Sequence, residues 1–259
     1  LADGDALVLH FPPPRLLDSL LPVYAEIIAR LAAGGAEWIQ LDEPALVLDR
    51  TLAELAAVTR AYTKLAAAKG GAKLLVQTAY GHVGGAYDVL KDLPVDGIGL
   101  DFVRGPENVD LIARHGFPAD KWLAAGVVDG RNVWVNDLAA SLDLLDRLQT
   151  HVSAERLLIS ASCSLLHVPY DVRAEEGLDP SVRSWLAFAA QKLDEIVLLT
   201  RAVNNGRSAI ATEKGEGEPW DLKYAAGGLV DIEFIAQYLQ LEHVMRMAKA
   251  RARQRLAAG

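Results

Sequence analysis

Five short apolar runs, each preceded by a helix-like stretch, constrain this chain more than any other feature of it. Leu16 to Ala33 carries Leu20, Leu21, Tyr24, Ile27, Ile28 and Leu31 at three- and four-residue spacing, the period of one helix face. Gly34-Gly35 supplies a stop, because glycine accepts the left-handed conformation that ends many helices. Trp38 to Leu41 then reads as a strand, ending in Asp42-Glu43-Pro44. The unit recurs: helix Leu52 to Lys69 before strand Lys73 to Thr78, and helix Gly85 to Lys91 before strand Gly97 to Asp101. Helix Glu107 to His115 precedes strand Trp122 to Val127, and helix Leu138 to Thr150 precedes strand Arg156 to Ser160. Such alternation marks parallel β-α units, with right-handed crossovers placing the helices outside the sheet. The fold class is α/β, either an open doubly wound sheet or part of a closed barrel.

Each strand ends in groups capable of chemistry: Asp42 and Glu43, Gln77 and Thr78, Asp101, Asp129 and Arg131, then Ser162, Cys163 and His167. In both architectures ligands bind at the carboxyl ends of parallel strands, so these residues are expected to share one mouth. Adjacent carboxylates on a strand point to opposite faces, so Asp42 and Glu43 act together only if Pro44 bends the chain. Arg131 suits a carboxylate or phosphate, or a structural pairing with a mouth carboxylate. Cys163 and His167 offer two zinc ligands where a structural site needs four and a catalytic site three. As a nucleophile, Cys163 would need a nearby base and a field that stabilises its thiolate.

The flanks differ from this core. Leu7 to Phe11 could form one more strand, stopped by Pro12, Pro13 and Pro14. Ser184 to Ala211 is a long apolar helical stretch, followed by the polar, Gly-rich run Thr212 to Pro219. Leu229 to Arg255 reads as a further helix whose basic end offsets the negative pole of its dipole. With 51% hydrophobic residues the chain can bury a core, and its net charge of −8 argues against general nucleic-acid binding. No apolar run approaches the ~18–20 residues of a membrane span. One cysteine and no signal-peptide pattern make a cytoplasmic location the expectation.

Several segments resemble cobalamin-independent methionine synthase. They are Leu20-Leu21-Pro22-Val23-Tyr24, Glu37 to Leu46, Leu93 to Gly97, Gly126 to Trp134, Ser162 to Pro169 and Trp185 to Ala189. The resemblance runs in order from about residue 16 to 211 and is to the later part of that family's N-terminal barrel. It implies a partial (β/α)8, TIM-like barrel with about five parallel strands and a helical C-terminal tail. The family transfers a methyl group from 5-methyltetrahydropteroyl-polyglutamate to homocysteine, with a zinc ion in its C-terminal barrel that makes the sulfur a thiolate. Where that barrel has a His-x-Cys pair, this chain reads Gln77-Thr78-Ala79-Tyr80, and Asp101 and Cys163 look like remnants of two further ligand positions. The resemblance therefore implies no bound zinc, no complete active site and no assigned catalytic residue, leaving Asp42, Glu43, Asp101, Arg131 and His167 as mouth candidates.

The tail is similar to something else. Lys214 to Tyr224 and Gly227 to Leu241 resemble the bifunctional glutamine-synthetase adenylyltransferase, over about residues 212–245. The chain then reads as a fusion: residues 1–211 a partial barrel, and residues 212–259 a helical tail without that family's paired-aspartate metal site. The leading expectation is a fragment of the methyltransferase that lacks the zinc-bearing barrel. The alternatives are a non-catalytic module that self-associates through an exposed sheet edge, and an adenylyltransferase-related regulator of glutamine synthetase.

Overall fold

The computed structural model describes residues 14–208, and the account is confined to them. The strand-like Leu7 to Phe11, the boundary at residue 211 and the tail lie outside the described residues. In chain order the main elements are α1 (Pro14–Ala33), β1 (Trp38–Asp42), α2 (Leu52–Ala68), β2 (Lys73–Gln77), α3 (Tyr87–Asp92) and β3 (Gly97–Asp101). There follow α4 (Asn108–His115), β4 (Trp122–Val128), α5 (Leu138–Gln149), β5 (Leu157–Ala161), the single turn α6 (Pro180–Arg183) and α7 (Ala189–Asn205). Gly35, at φ 92°, closes α1 as expected. Thr51 starts α2 with a capping box, its hydroxyl taking the Glu54 N–H while the Glu54 carboxylate takes the Thr51 N–H at 2.8 Å.

All five strands are parallel and lie in sequence order, β1-β2-β3-β4-β5. A doubly wound sheet reverses its strand order at a switch point, and this one does not. Each connection steps the same way across the sheet, so right-handed crossovers put the helices on one face. The other face curls. Laid flat, β1 and β5 would lie about 19 Å apart, four spacings of ~4.8 Å. Yet Gln40 and Asp42 of β1 border the same cavity of about 320 Å3 as Ser160 and Ala161 of β5. The sheet is an arc of a barrel.

Burial follows from this geometry. Every residue of β3 is buried, as are four of the five in β2, while all of β5 and most of β1 are only partly covered. Central parallel strands are enclosed on both faces, and edge strands are not. At the amino ends of the strands, the Lys73 ammonium lies 5.1 Å from the Trp38 ring and 5.5 Å from the Trp122 ring. Lys121, 7% exposed, donates there to the Leu93 and Val95 carbonyls at 2.7 and 3.0 Å. These contacts close the end of the sheet opposite the mouth.

Two sequence expectations are corrected. The helical stretch expected from Ser184 begins only at Ala189, because the chain leaves a turn at Ser184 and Trp185 and bridges through Leu186 to Trp134. Val135 N–H donates to the Trp185 carbonyl at 2.9 Å and Ala187 N–H to the Val133 carbonyl at 2.8 Å. The apolar spacing of α1 marks a face wider than its neighbour covers. Leu21 and Ile28 are buried, whereas Leu20, Tyr24, Ile27 and Leu31 are 42–48% exposed.

Candidate functional site

The site is assembled at the carboxyl ends of the strands, where each chain segment turns from strand to helix. Alternation along β1 buries Ile39 and turns Gln40 and Asp42 toward the mouth, where the Gln40 amide donates to Asp42 at 2.7 Å. Glu43 goes the other way. Its N–H continues the ladder to the Gln77 carbonyl at 2.8 Å, and its carboxylate accepts from the Tyr62 hydroxyl of α2 at 3.0 Å. Pro44 opens a 3-10 turn rather than bringing the two carboxylates together. Burial raises the Glu43 pKa above the ordinary value, opposed by the Tyr62 hydrogen bond and assisted by the charge of Asp42. Asp42 and Glu43 are therefore not an acid/base pair.

Tyr80, just beyond β2, is where most of the strand-end groups converge. Its backbone is left-handed, at φ 76°, although it is not glycine. Asp101, wholly buried at the end of β3, holds it there. One carboxylate oxygen accepts the Tyr80 N–H at 2.8 Å, and the other accepts the N–H groups of Val103 and Arg104 at 2.9 and 2.8 Å. Burial raises the Asp101 pKa and these three bonds oppose the rise. The Arg131 guanidinium sits 5.3 Å from the centre of the Tyr80 ring, and the Tyr80 hydroxyl lies 2.8 Å from His167 Nε2. Asp129 takes the Arg131 N–H and the Asn132 side-chain amide, each at 2.8 Å, and faces Arg104 at 3.7 Å.

The cavity of about 320 Å3 is bordered by Gln40, Asp42, Gln77, Tyr80, Ser160 and Cys163, among others. Of the expected mouth residues, then, Asp42 lines the cavity, Arg131 and His167 meet above it at Tyr80, Asp101 braces it from behind, and Glu43 is turned away. Cys163 is buried, its thiol pointing at the Ser164 carbonyl 3.8 Å away, and burial raises its pKa. With His167 engaged by Tyr80, thiol and imidazole have different partners and do not form a nucleophile–base pair. Among the described residues, no group of three or more His, Cys, Asp or Glu could hold a metal ion. The donor set does not fit zinc: both oxygens of Asp101 serve backbone amides, and the Cys163 thiol faces the Ser164 carbonyl, which leaves fewer than three ligands for the ion.

Gln40, Tyr62 and Tyr80 were not among the expected mouth residues. Strict alternation from Asp42 would have found Gln40. Tyr80 gives no local sign, because its left-handed backbone is imposed by a carboxylate 21 residues later.

Comparison with known proteins places this geometry. Residues 5–153 match the family described as "Cobalamin-independent synthase, N-terminal domain". The chain belongs to that family. It is 54% identical over 204 residues to the 5-methyltetrahydropteroyltriglutamate–homocysteine methyltransferase of Streptomyces griseus, covering 78% of this chain and 26% of that protein. The protein of that name from Parvibaculum lavamentivorans is 45% identical over 214 residues, covering 82% of this chain and 28% of the relative. This chain thus spans about a quarter of the length of the curated relatives it matches. Among solved structures, a B12-independent methionine synthase from Shewanella sp. W3-18-1 aligns with TM-score 0.53 at 19% identity, over 77% of this chain and 58% of that one. That likeness supports the barrel-type fold, as does the putative vitamin-B12 independent methionine synthase of Listeria monocytogenes, at TM-score 0.51 and 15% identity over 73% and 54%.

Proposed function

We propose that this chain is part of a 5-methyltetrahydropteroyltriglutamate–homocysteine methyltransferase of methionine biosynthesis, supplying a scaffold segment without a reaction centre of its own. The observation that carries the reading is the 54% identity to a protein of that name over 204 residues. The substrates would be homocysteine and 5-methyltetrahydropteroyl-polyglutamate. The zinc that activates the thiol would belong to a barrel other than the one described, because Asp101 and Cys163 are committed elsewhere. A cytoplasmic location accompanies this reading; among the described residues no helix is long and apolar enough to cross a membrane.

The test is a chimera in which the matching 204 residues of the Streptomyces griseus enzyme are replaced by those of this chain. Methyl transfer within about tenfold of the parent rate, roughly 1.4 kcal/mol in the barrier, is expected. A folded chimera without methyl transfer overturns the reading. The separate resemblance of residues 212–245 to glutamine-synthetase adenylyltransferase supports a fused tail that binds glutamine synthetase. Unchanged binding after deletion of residues 212–259 would remove that part. The non-catalytic, self-associating alternative draws on the edge of β1 that is unpaired among the described residues and on the exposed stripe of α1. A monodisperse monomer in ultracentrifugation counts against it.

A further inference from the structure

We propose that the mouth of the arc holds a small zwitterion, a free neutral amino acid with a polar side chain, between Asp42 and Arg131. The proposal does not depend on the functional reading, since it asks for binding and no reaction. Most charges at this end of the sheet are already balanced or turned aside. Asp101 spends both oxygens on backbone N–H groups, Asp129 lies 3.7 Å from Arg104, and Glu43 accepts from Tyr62. Two charges are left over. Among the described residues neither Asp42 nor Arg131 forms an ion pair, and both are exposed. One Asp42 oxygen accepts from the Gln40 amide at 2.7 Å; its second oxygen and the Gln40 carbonyl take no donor from the described residues. The Arg131 guanidinium lies 5.3 Å from the centre of the Tyr80 ring, and its N–H groups donate to none of them.

The pattern of charge selects the ligand. A simple anion is repelled by Asp42 and a simple cation by Arg131, whereas a molecule carrying one of each is attracted at both ends. Both charges act on one ring: burial does most to raise the Tyr80 pKa, Arg131 opposes the rise and Asp42 adds to it. Tyr80 and Asp42 border the cavity of about 320 Å3, and so does Ser160 of β5. The Ser160 hydroxyl oxygen is buried and has no hydrogen-bond partner among the described residues. A buried hydroxyl left unmet is costly, and such groups in folded chains are usually satisfied by a neighbour, a water or a ligand. The cavity is at the small end of the ~300–1,000 Å3 of ligand sites, room for a single amino acid. Its ammonium group goes to Asp42 and the Gln40 carbonyl. Its carboxylate goes to Arg131, whose planar fork matches two oxygens, and its polar side chain meets Ser160.

Titration of the isotope-labelled full chain with L-serine, L-asparagine and L-glutamine, followed by amide chemical shifts and calorimetry, tests this. At least one should bind saturably and move the N–H signals of Asp42, Tyr80 and Ser160. Its N-acetyl derivative lacks the ammonium group and its α-carboxamide lacks the carboxylate, so each should bind about tenfold or more weakly. The same loss is expected for the amino acid itself with Asp42→Asn and with Arg131→Gln. Both positions are exposed and unpaired, and unchanged signals away from the mouth report that these variants fold. Ser160→Ala should weaken binding by about threefold or more. Absence of saturable binding by all three amino acids to the unmodified chain would overturn the proposal. So would shifts confined to residues away from the mouth, derivatives that bind as tightly as the parent, or an affinity that neither charge substitution changes.

Discussion

Tyr80 is held in an unfavourable backbone conformation by a carboxylate that also ties down the turn after β3. Asp101 reaches three N–H groups with two oxygens, so replacing one oxygen by an amide NH2 turns an acceptor toward the Tyr80 or the Val103/Arg104 donors into a donor. Asp101→Asn should cost about 2–3 kcal/mol in urea unfolding, the penalty of stranding a buried donor. Glu43 behaves differently. Its pKa is raised in the folded chain, so folding favours its protonated form. Its contribution is most favourable below the unfolded value near 4.5 and is lost as pH rises through the higher folded value. Glu43→Gln keeps an acceptor for Tyr62 and carries no charge to desolvate. At neutral pH it should raise the melting temperature by about 2–4 °C, equivalent to ~1 kcal/mol in a chain of this size, and the gain should vanish well below pH 4.5. Thermal melts across that pH range read the sign directly.

At the scale of elements, the strands were the most legible part of the sequence. Gly97 to Asp101 is found as read, and Trp38, Lys73 and Trp122 open their strands where expected. A buried parallel strand has a continuous apolar run and glycine punctuation, both local signals. The start of α7 was not legible, because Trp185 to Ala187 pairs with residues 133–135, a partner some 50 positions earlier. The mouth was legible as a location and illegible as an arrangement. Strand ends placed Asp42, Asp101 and Arg131 at one end of the sheet, but nothing near Glu43 signals that Tyr62, 19 residues on, draws it away. Local signals are also the easiest to test. Thr51→Ala removes the hydroxyl half of the capping box on α2 and should cost about 1 kcal/mol, whereas Thr51→Ser should be nearly neutral, both read by denaturant midpoints.

For the molecule as a whole, strand order decides the architecture. Five parallel strands in sequence order form an arc, and among the described residues no group of three or more His, Cys, Asp or Glu is placed to hold a metal ion at its mouth. The mouth groups have partners within the chain: Asp101 backbone amides, Arg131 and His167 the side chain of Tyr80, and Cys163 a carbonyl. That is the physical content of reading this chain as a scaffold segment, and it follows from the partners of four side chains. Metal titration of the full chain tests it most directly, using Co2+ as a spectroscopic stand-in for zinc and comparing the native protein with Cys163→Ser. The account predicts no cobalt–thiolate charge-transfer band in either protein, and equal metal retention by both after dialysis. One equivalent of tightly held metal, with a thiolate band that disappears in Cys163→Ser, would contradict it.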